Sequence, residues 1–158
     1  GMPVGAYGGR RDIMKVVSPV GQVYQAGTLS GNPVAMAAGI AQLSYLKEHP
    51  EVYTQLNEKS DRFFTELQKI VDESGKGYHV NHICSLGSLF CTTQEVYDYE
   101  TAKTSDTKAY ADYCNYMQNH GIYLAPAQFE AMFISAAHTE EQLAHTLELA
   151  RDYFVKNC

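Results

Sequence analysis

The chain has 158 residues, 45% of them hydrophobic and 19% charged, which is the make-up of one ordinary globular domain and excludes a disordered or collagen-like chain. Twelve Lys and Arg stand against eighteen Asp and Glu, a net charge of −6 with no local concentration of positive charge, so neither a nucleic-acid surface nor a polybasic membrane anchor is expected. The longest apolar runs, such as residues 33–41, are less than half of a membrane span, and no basic-then-apolar leader opens the chain, which points to a cytoplasmic protein. Cys84, Cys91, Cys114 and Cys158 are irregularly spaced and form no C-x-x-C pair, so reduced thiols are the default.

Residues 1–9, GMPVGAYGG, are glycine-rich and apolar, a composition suited to a buried strand and tight turn inside a larger domain. Asn32-Pro33 predicts a helix start, because Asn can cap free N–H groups and Pro suits the first helical position. Val34, Ala37, Ala38, Ile40, Ala41 and Leu46 carry this small-residue helix to about Glu48, where His49-Pro50 interrupts it. Tyr53, Leu56, Phe63, Leu67 and Ile70 then recur at spacings of three and four or their multiples. They predict a second, amphipathic helix to Gly75, with Ser60 on the same face.

Residues 78–84 and 86–93 are rich in strand formers and read as an antiparallel hairpin joined around 85–87. Residues 97–104 read as a loop. Tyr110, Tyr113, Cys114 and Met117 form the inward face of a helix over 105–120, closed by His120 and a left-handed Gly121. Two short strands, 122–124 and 132–135, flank the turn APAQFE, and a final helix opens on a Thr139/Gln142 capping box with Leu143, Leu147, Ala150 and Phe154 inward. The order of elements predicts an α+β layer from Tyr78 onward, attached by a long helix to the remnant of another unit.

Chemistry is suggested most clearly by residues 24–33, YQAGTLSGNP, where two glycines and two hydroxyls precede a helix N-terminus. Loop and helix N–H groups, hydroxyl donors and the helix dipole together suit an anion or phosphate; a plainly capped helix with a flexible lead-in is the alternative. Neither a P-loop nor a G-x-G-x-x-G fingerprint occurs. His79, His82, Cys84 and Cys91 match no common zinc spacing, and no metal site is expected. Ser88, His82 and Asp98 could be written as a triad, but no G-x-S-x-G elbow frames the serine. Glu130, between Phe129 and Ala131, is either solvated at a loop tip or held in a pocket for a purpose. His138 reads as the residue before the Thr139 cap.

Three stretches carry a resemblance: GMPVGAYGGRRDIM at residues 1–14, YQAGTLSGNPVAMAAG at 24–39 and GIYLAPAQFEAMFISAAHTEEQ at 121–142. Together they resemble the glutamate-1-semialdehyde 2,1-aminomutases, pyridoxal 5′-phosphate enzymes of fold type I, over nearly the whole chain. Class-III aminotransferases share the G-T-x-x-G-N-P pattern but usually carry a carboxylate-binding arginine in the late strand region, which here reads AQFEAMFIS.

The resemblance implies an α/β enzyme. This chain would supply the end of its large cofactor-binding domain (residues 1–30), a long interdomain helix (31–49) and the small C-terminal α+β domain (50–158), an antiparallel sheet with packed helices. It implies isomerisation of glutamate 1-semialdehyde to 5-aminolevulinate for tetrapyrrole synthesis, by a homodimer. Thr28, with Gly27 beside it, is implied to reach the phosphate of the partner's cofactor, Tyr24 to line the same cross-subunit site, and Glu130 to support the catalytic site. The family's Schiff-base lysine precedes the GMPVGAYGG stretch. The chain is therefore expected to be a C-terminal fragment, inactive and without bound cofactor by itself. A class-III aminotransferase fragment, or a non-catalytic interaction module with the small-domain fold, are the competing readings.

Overall fold

The computed structural model describes residues 2–156, and the chain divides into two compact units, Gly1–Pro50 and Glu51–Cys158. Gly1 and the thiol of Cys158 lie outside the described residues. Among those residues no helix is long and apolar enough to cross a membrane.

The first unit holds a short helix α1 (Arg11–Met14) and a long helix α2 (Pro33–Glu48). Asn32 opens α2 as its composition predicts: Oδ1 accepts from the N–H groups of Val34 (3.0 Å) and Ala35 (3.1 Å), with Pro33 at the first helical position. Along α2 only Ala35 and Gly39 are buried. Gly39 is small because Val4 lies over it; a Cβ there would come within 3.3 Å of Val4 Cγ1. Val34, Ile40, Leu43 and Tyr45 are each more than half exposed, so α2 is apolar on several sides without the polar face of an ordinary surface helix. The buried strand expected over residues 1–9 does not form among the described residues 2–9. Residues 2–10 are exposed and pair with no strand, because this unit offers no sheet edge to take their backbone hydrogen bonds.

The second unit is built on α3 (Glu51–Glu73), whose Phe63, Phe64, Leu67, Ile70 and Val71 are buried. Ser60 shares that face with no exposed surface, its hydroxyl satisfied by the Leu56 carbonyl at 2.7 Å. Against α3 packs an antiparallel sheet of β1 (His79–Ile83), β2 (Leu86–Phe90) and β3 (Met132–Phe133), in that order. Between β2 and β3 run α4 (Tyr99–Ala102) and α5 (Thr107–Asn119), and α6 (Glu140–Arg151) follows β3, continuing into a π-helical turn over Asp152–Lys156. Tyr110, Tyr113, Cys114 and Met117 of α5, Leu143, Leu149 and Ala150 of α6, and Phe154 close one core with α3. Thr139 and Gln142 form the reciprocal capping box that opens α6, and Arg151 pairs with Glu73 of α3.

Three local expectations need correction. Ile83 pairs with Leu86, so the hairpin turns on Cys84-Ser85 and Gly87 lies inside β2. The expected loop over 97–104 contains α4, because Asp98 and Thr101 cap each other's backbone N–H groups. Residues 122–124 make no strand; the Ile122 N–H is held by the Met117 carbonyl at 2.9 Å, which finishes the end of α5 instead of entering a ladder.

Candidate active-site loops

Each unit carries one candidate loop. In the first, residues 27–32 fold as consecutive turns, with Ser30 N–H donating to the Gly27 carbonyl (2.9 Å) and Asn32 N–H to that of Leu29 (3.0 Å). Gly31 has φ +72°, a conformation that favours glycine. The main-chain N–H groups of Thr28, Leu29 and Gly31 have no acceptor among the described residues, and the side chains of Thr28 and Ser30 are exposed. The donors of the first helical turn are another matter: Asn32 already takes those of Val34 and Ala35. An anion here would thus be held by the loop's amides and hydroxyls rather than by the helix end. Gly27, Leu29, Ser30 and Gly31 line a cavity of about 590 Å³ with Pro3, Val4 and Gly5. Tyr24 and Thr28 stand outside its lining, and Tyr24 is 82% exposed. The donor set suits a phosphate group, since it combines unpaired N–H groups, hydroxyls and glycine backbone that permits close approach.

In the second unit, residues 125–131 connect the end of α5 to β3 and place Glu130, exposed, on the wall of a cavity of about 430 Å³ shared with Phe63, Leu124, Met132, His138 and Thr146. The loop is fixed at its start by Tyr110, whose hydroxyl donates to the Ala125 carbonyl at 2.8 Å. Burial pushes this phenol up to about 12, so it remains a donor across the neutral range. Glu130 N–H closes a turn on the Ala127 carbonyl (3.1 Å), and Ser88 Oγ reaches the Glu130 carbonyl at 3.5 Å. His138 accepts from the Ser135 N–H through Nδ1 at 2.9 Å, which leaves the proton of the neutral ring on Nε2. Lys59 Nζ donates to the His138 carbonyl at 2.7 Å and ties this corner to α3.

The hypothetical triad is not assembled. Ser88 pairs with Asn81 and His82 with Gly87, so serine and histidine leave opposite faces of the sheet. His82 instead stacks on Phe64 and meets Asp61 at 3.2 Å, and Asp98 is occupied as the cap of α4. No group of three or more His, Cys, Asp or Glu suited to a metal occurs among the described residues. Cys91 is buried with its thiol pushed up to about 12 by desolvation, and Cys84 is exposed in the hairpin turn. Gln128 lies buried in the Glu130 loop, at a position that sequence pattern does not single out. The available signal was an amide between Ala127 and Phe129 in an otherwise apolar, proline-containing turn.

The class-III aminotransferase model matches residues 1–150, and the chain belongs to that family. Among its relatives, glutamate-1-semialdehyde 2,1-aminomutase 1 of Lachnoclostridium phytofermentans is 59% identical over 148 residues, covering 94% of this chain and 35% of the relative. The Ruminiclostridium cellulolyticum aminomutase is 52% identical over 157 residues, or 99% of this chain and 36% of that protein. The chain therefore spans about a third of the length of these curated relatives. Two solved structures share the fold at 24% identity: a transaminase with PLP bound (TM-score 0.75, 99% of this chain and 35% of that one) and a β-phenylalanine aminotransferase from Variovorax paradoxus (TM-score 0.78, 92% and 34%).

Proposed function

We propose that this chain is the C-terminal part of a pyridoxal 5′-phosphate-dependent aminomutase that converts glutamate 1-semialdehyde to 5-aminolevulinate in tetrapyrrole synthesis, acting as a cytoplasmic homodimer. The observation that carries the reading is identity of 50–59% to glutamate-1-semialdehyde aminomutases over 89–99% of the chain. The apolar side chains that α2 exposes on several sides support a role for the first unit within a larger assembly, since a helix that is apolar all round is normally buried. The lysine that holds the cofactor belongs, on this reading, to the part of the relatives that this chain does not span. The 158 residues by themselves are then inactive.

Pyridoxal 5′-phosphate, when bound, supplies the electron sink and the amine-carrying group. The residues of this chain contribute binding and orientation. Thr28 Oγ1 and the unpaired N–H groups of residues 28, 29 and 31 would hold the phosphate, from across the dimer interface, by donating to its oxygens. Gly27 keeps the backbone close, and Tyr24 lines the approach. Glu130, on a loop fixed by Tyr110 and by β2, presents a carboxylate toward the substrate's polar groups.

The second reading is an aminotransferase, favoured by the structural neighbours and opposed by the lack of arginine between Ala125 and Ser135. Purified full-length protein containing this chain, given glutamate 1-semialdehyde, should form 5-aminolevulinate without an external amino acceptor. Turnover only when an external 2-oxo acid is added would overturn the aminomutase reading in favour of transfer.

A further inference from the structure

Gln128 is 3% exposed although its neighbours Phe129 and Glu130 face solvent. Its carboxamide makes two hydrogen bonds to one edge of β2: Nε2 donates to the Leu89 carbonyl at 2.6 Å, and Oε1 accepts from the Cys91 N–H at 3.4 Å. In a strand the C=O of one residue and the N–H of the residue two further on point to the same side. The side in question is the one β3 occupies, with Phe133 opposite Leu86 and Met132 opposite Gly87. Past that pair the main chain leaves the ladder as the Glu130 loop, and the Gln128 side chain takes the next place along the edge. One donor and one acceptor on a flexible stem stand in for a residue of a continued β3.

We propose that Gln128 is the positioning residue for Glu130, ending the β2–β3 ladder through a side chain so that the loop bulges outward at a fixed offset and holds the carboxylate at the cavity wall. The inference rests on Glu130 acting in the proposed active site. Between the Tyr110 anchor at Ala125 and the first β3 residue, the other ties among the described residues are the Glu130–Ala127 turn, the long Ser88 contact and the ring contact of Phe129 with Tyr99, and the carboxamide is the tie that meets the β2 edge through two hydrogen bonds. Leu89 and Cys91 are themselves buried, and a lost partner there is not readily replaced by water. Asparagine is one methylene too short, and an ionised glutamate can accept from Cys91 but cannot donate to Leu89.

The test uses the full-length, cofactor-loaded enzyme with glutamate 1-semialdehyde as substrate, comparing Gln128→Leu, Gln128→Glu, Glu130→Gln and the double variant Gln128→Leu/Glu130→Gln. A displaced catalytic-site group commonly costs up to about a hundredfold. Gln128→Leu should therefore lower kcat by roughly ten- to a hundredfold with KM within about twofold, and the double variant should be no slower than the slower single. Gln128→Glu should be slow at neutral and high pH and gain on the parent as pH falls, because the protonated carboxyl regains the donor to Leu89. This pH signature keeps the test decisive even where Gln128→Leu does not fold. Additive losses in the double variant, or a Gln128→Glu to parent ratio flat with pH, would overturn the proposal. Parental kcat in Gln128→Leu with a loss in Glu130→Gln overturns the anchor alone and leaves the Glu130 role standing. A silent Glu130→Gln overturns the role of Glu130 and, with it, the route through that residue.

Discussion

The ring of Phe64, on α3, lies directly on the backbone of Gly87 in β2: a Cβ built at Gly87 would overlap Phe64 Cε1 and come within 2.8 Å of its Cδ1. Helix and sheet approach this closely because one residue has no side chain and the other presents a flat face, and His82, opposite Gly87, stacks on the same ring at 5.2 Å. Gly87→Ala should destabilise the chain by about 1–3 kcal/mol, the usual cost of overpacking a filled core. Phe64→Leu added to it should recover part of that loss, because the two changes share one space. Urea unfolding of the parent, both singles and the double checks this; an unchanged midpoint in Gly87→Ala would mean that the contact is not tight.

The three described thiols should differ sharply in reactivity. Cys84 sits exposed in the hairpin turn, whereas Cys91 and Cys114 are buried, with both thiols pushed above their ordinary value by desolvation. Thiolate, not thiol, attacks an alkylating reagent. Brief iodoacetamide treatment near neutral pH followed by peptide mapping should label Cys84 and leave Cys91 and Cys114 unmodified until denaturant is added. Early labelling of Cys91 would contradict its place in the core.

The same burial makes stability fall at alkaline pH. Cys91 and Tyr110 are each pushed up to about 12, from ordinary values of 9.0 and 10.0, chiefly by desolvation, and Tyr113 and Cys114 move in the same direction. The unfolded chain loses these protons at the ordinary values while the folded chain keeps them. Their contribution is therefore complete below about pH 9 and is lost as pH rises through the folded values near 12. Urea midpoints should hold from pH 7 to 8.5 and decline progressively above about pH 9. Tyr110→Phe should flatten part of that decline while losing about 1 kcal/mol at neutral pH with its bond to Ala125. Midpoints flat to pH 11 would contradict the burial of these groups.

Much of this architecture was legible because it is written in local signals. Asn32-Pro33, the Thr139/Gln142 box and His120-Gly121 each name a helix end through groups that satisfy neighbouring backbone, and the spacing of Phe63, Leu67 and Ile70 marks the face of α3. What could not be read depends on distant partners. Gly87 resembles a turn residue until Phe64 is laid on it, and 122–124 has strand-like composition but no ladder within reach. Residues 1–9 have the composition of a buried strand, but the described ones, 2–9, have no sheet beside them among the described residues of their unit. For the candidate site, the Gly27–Gly31 loop and Glu130 stood out as chemistry-bearing residues. Gln128 did not, because a single amide in a loop carries no pattern; its meaning comes from the Leu89 and Cys91 groups opposite it, almost forty residues away in the chain.

The role proposed for Thr28 can be separated from a mere helix lead-in. Asn32, not Thr28, caps α2, so replacing Thr28 should leave helix stability nearly untouched. A hydrogen bond to a charged acceptor is worth about 1.5–3 kcal/mol, and about 1.4 kcal/mol is tenfold in affinity. In the full-length protein Thr28→Ala should therefore weaken retention of pyridoxal 5′-phosphate by roughly ten- to a hundredfold, with Thr28→Ser much milder because it keeps the donor. Because the contact is proposed to cross the subunit interface, the alanine variant should also require higher protein concentration to stay dimeric when cofactor is limiting. Equilibrium binding of pyridoxal 5′-phosphate to the apo forms, read beside sedimentation of the same samples, tests both links. Parental affinity in Thr28→Ala would remove the phosphate role, and weakened binding with unchanged dimerisation would place the contact within a single subunit.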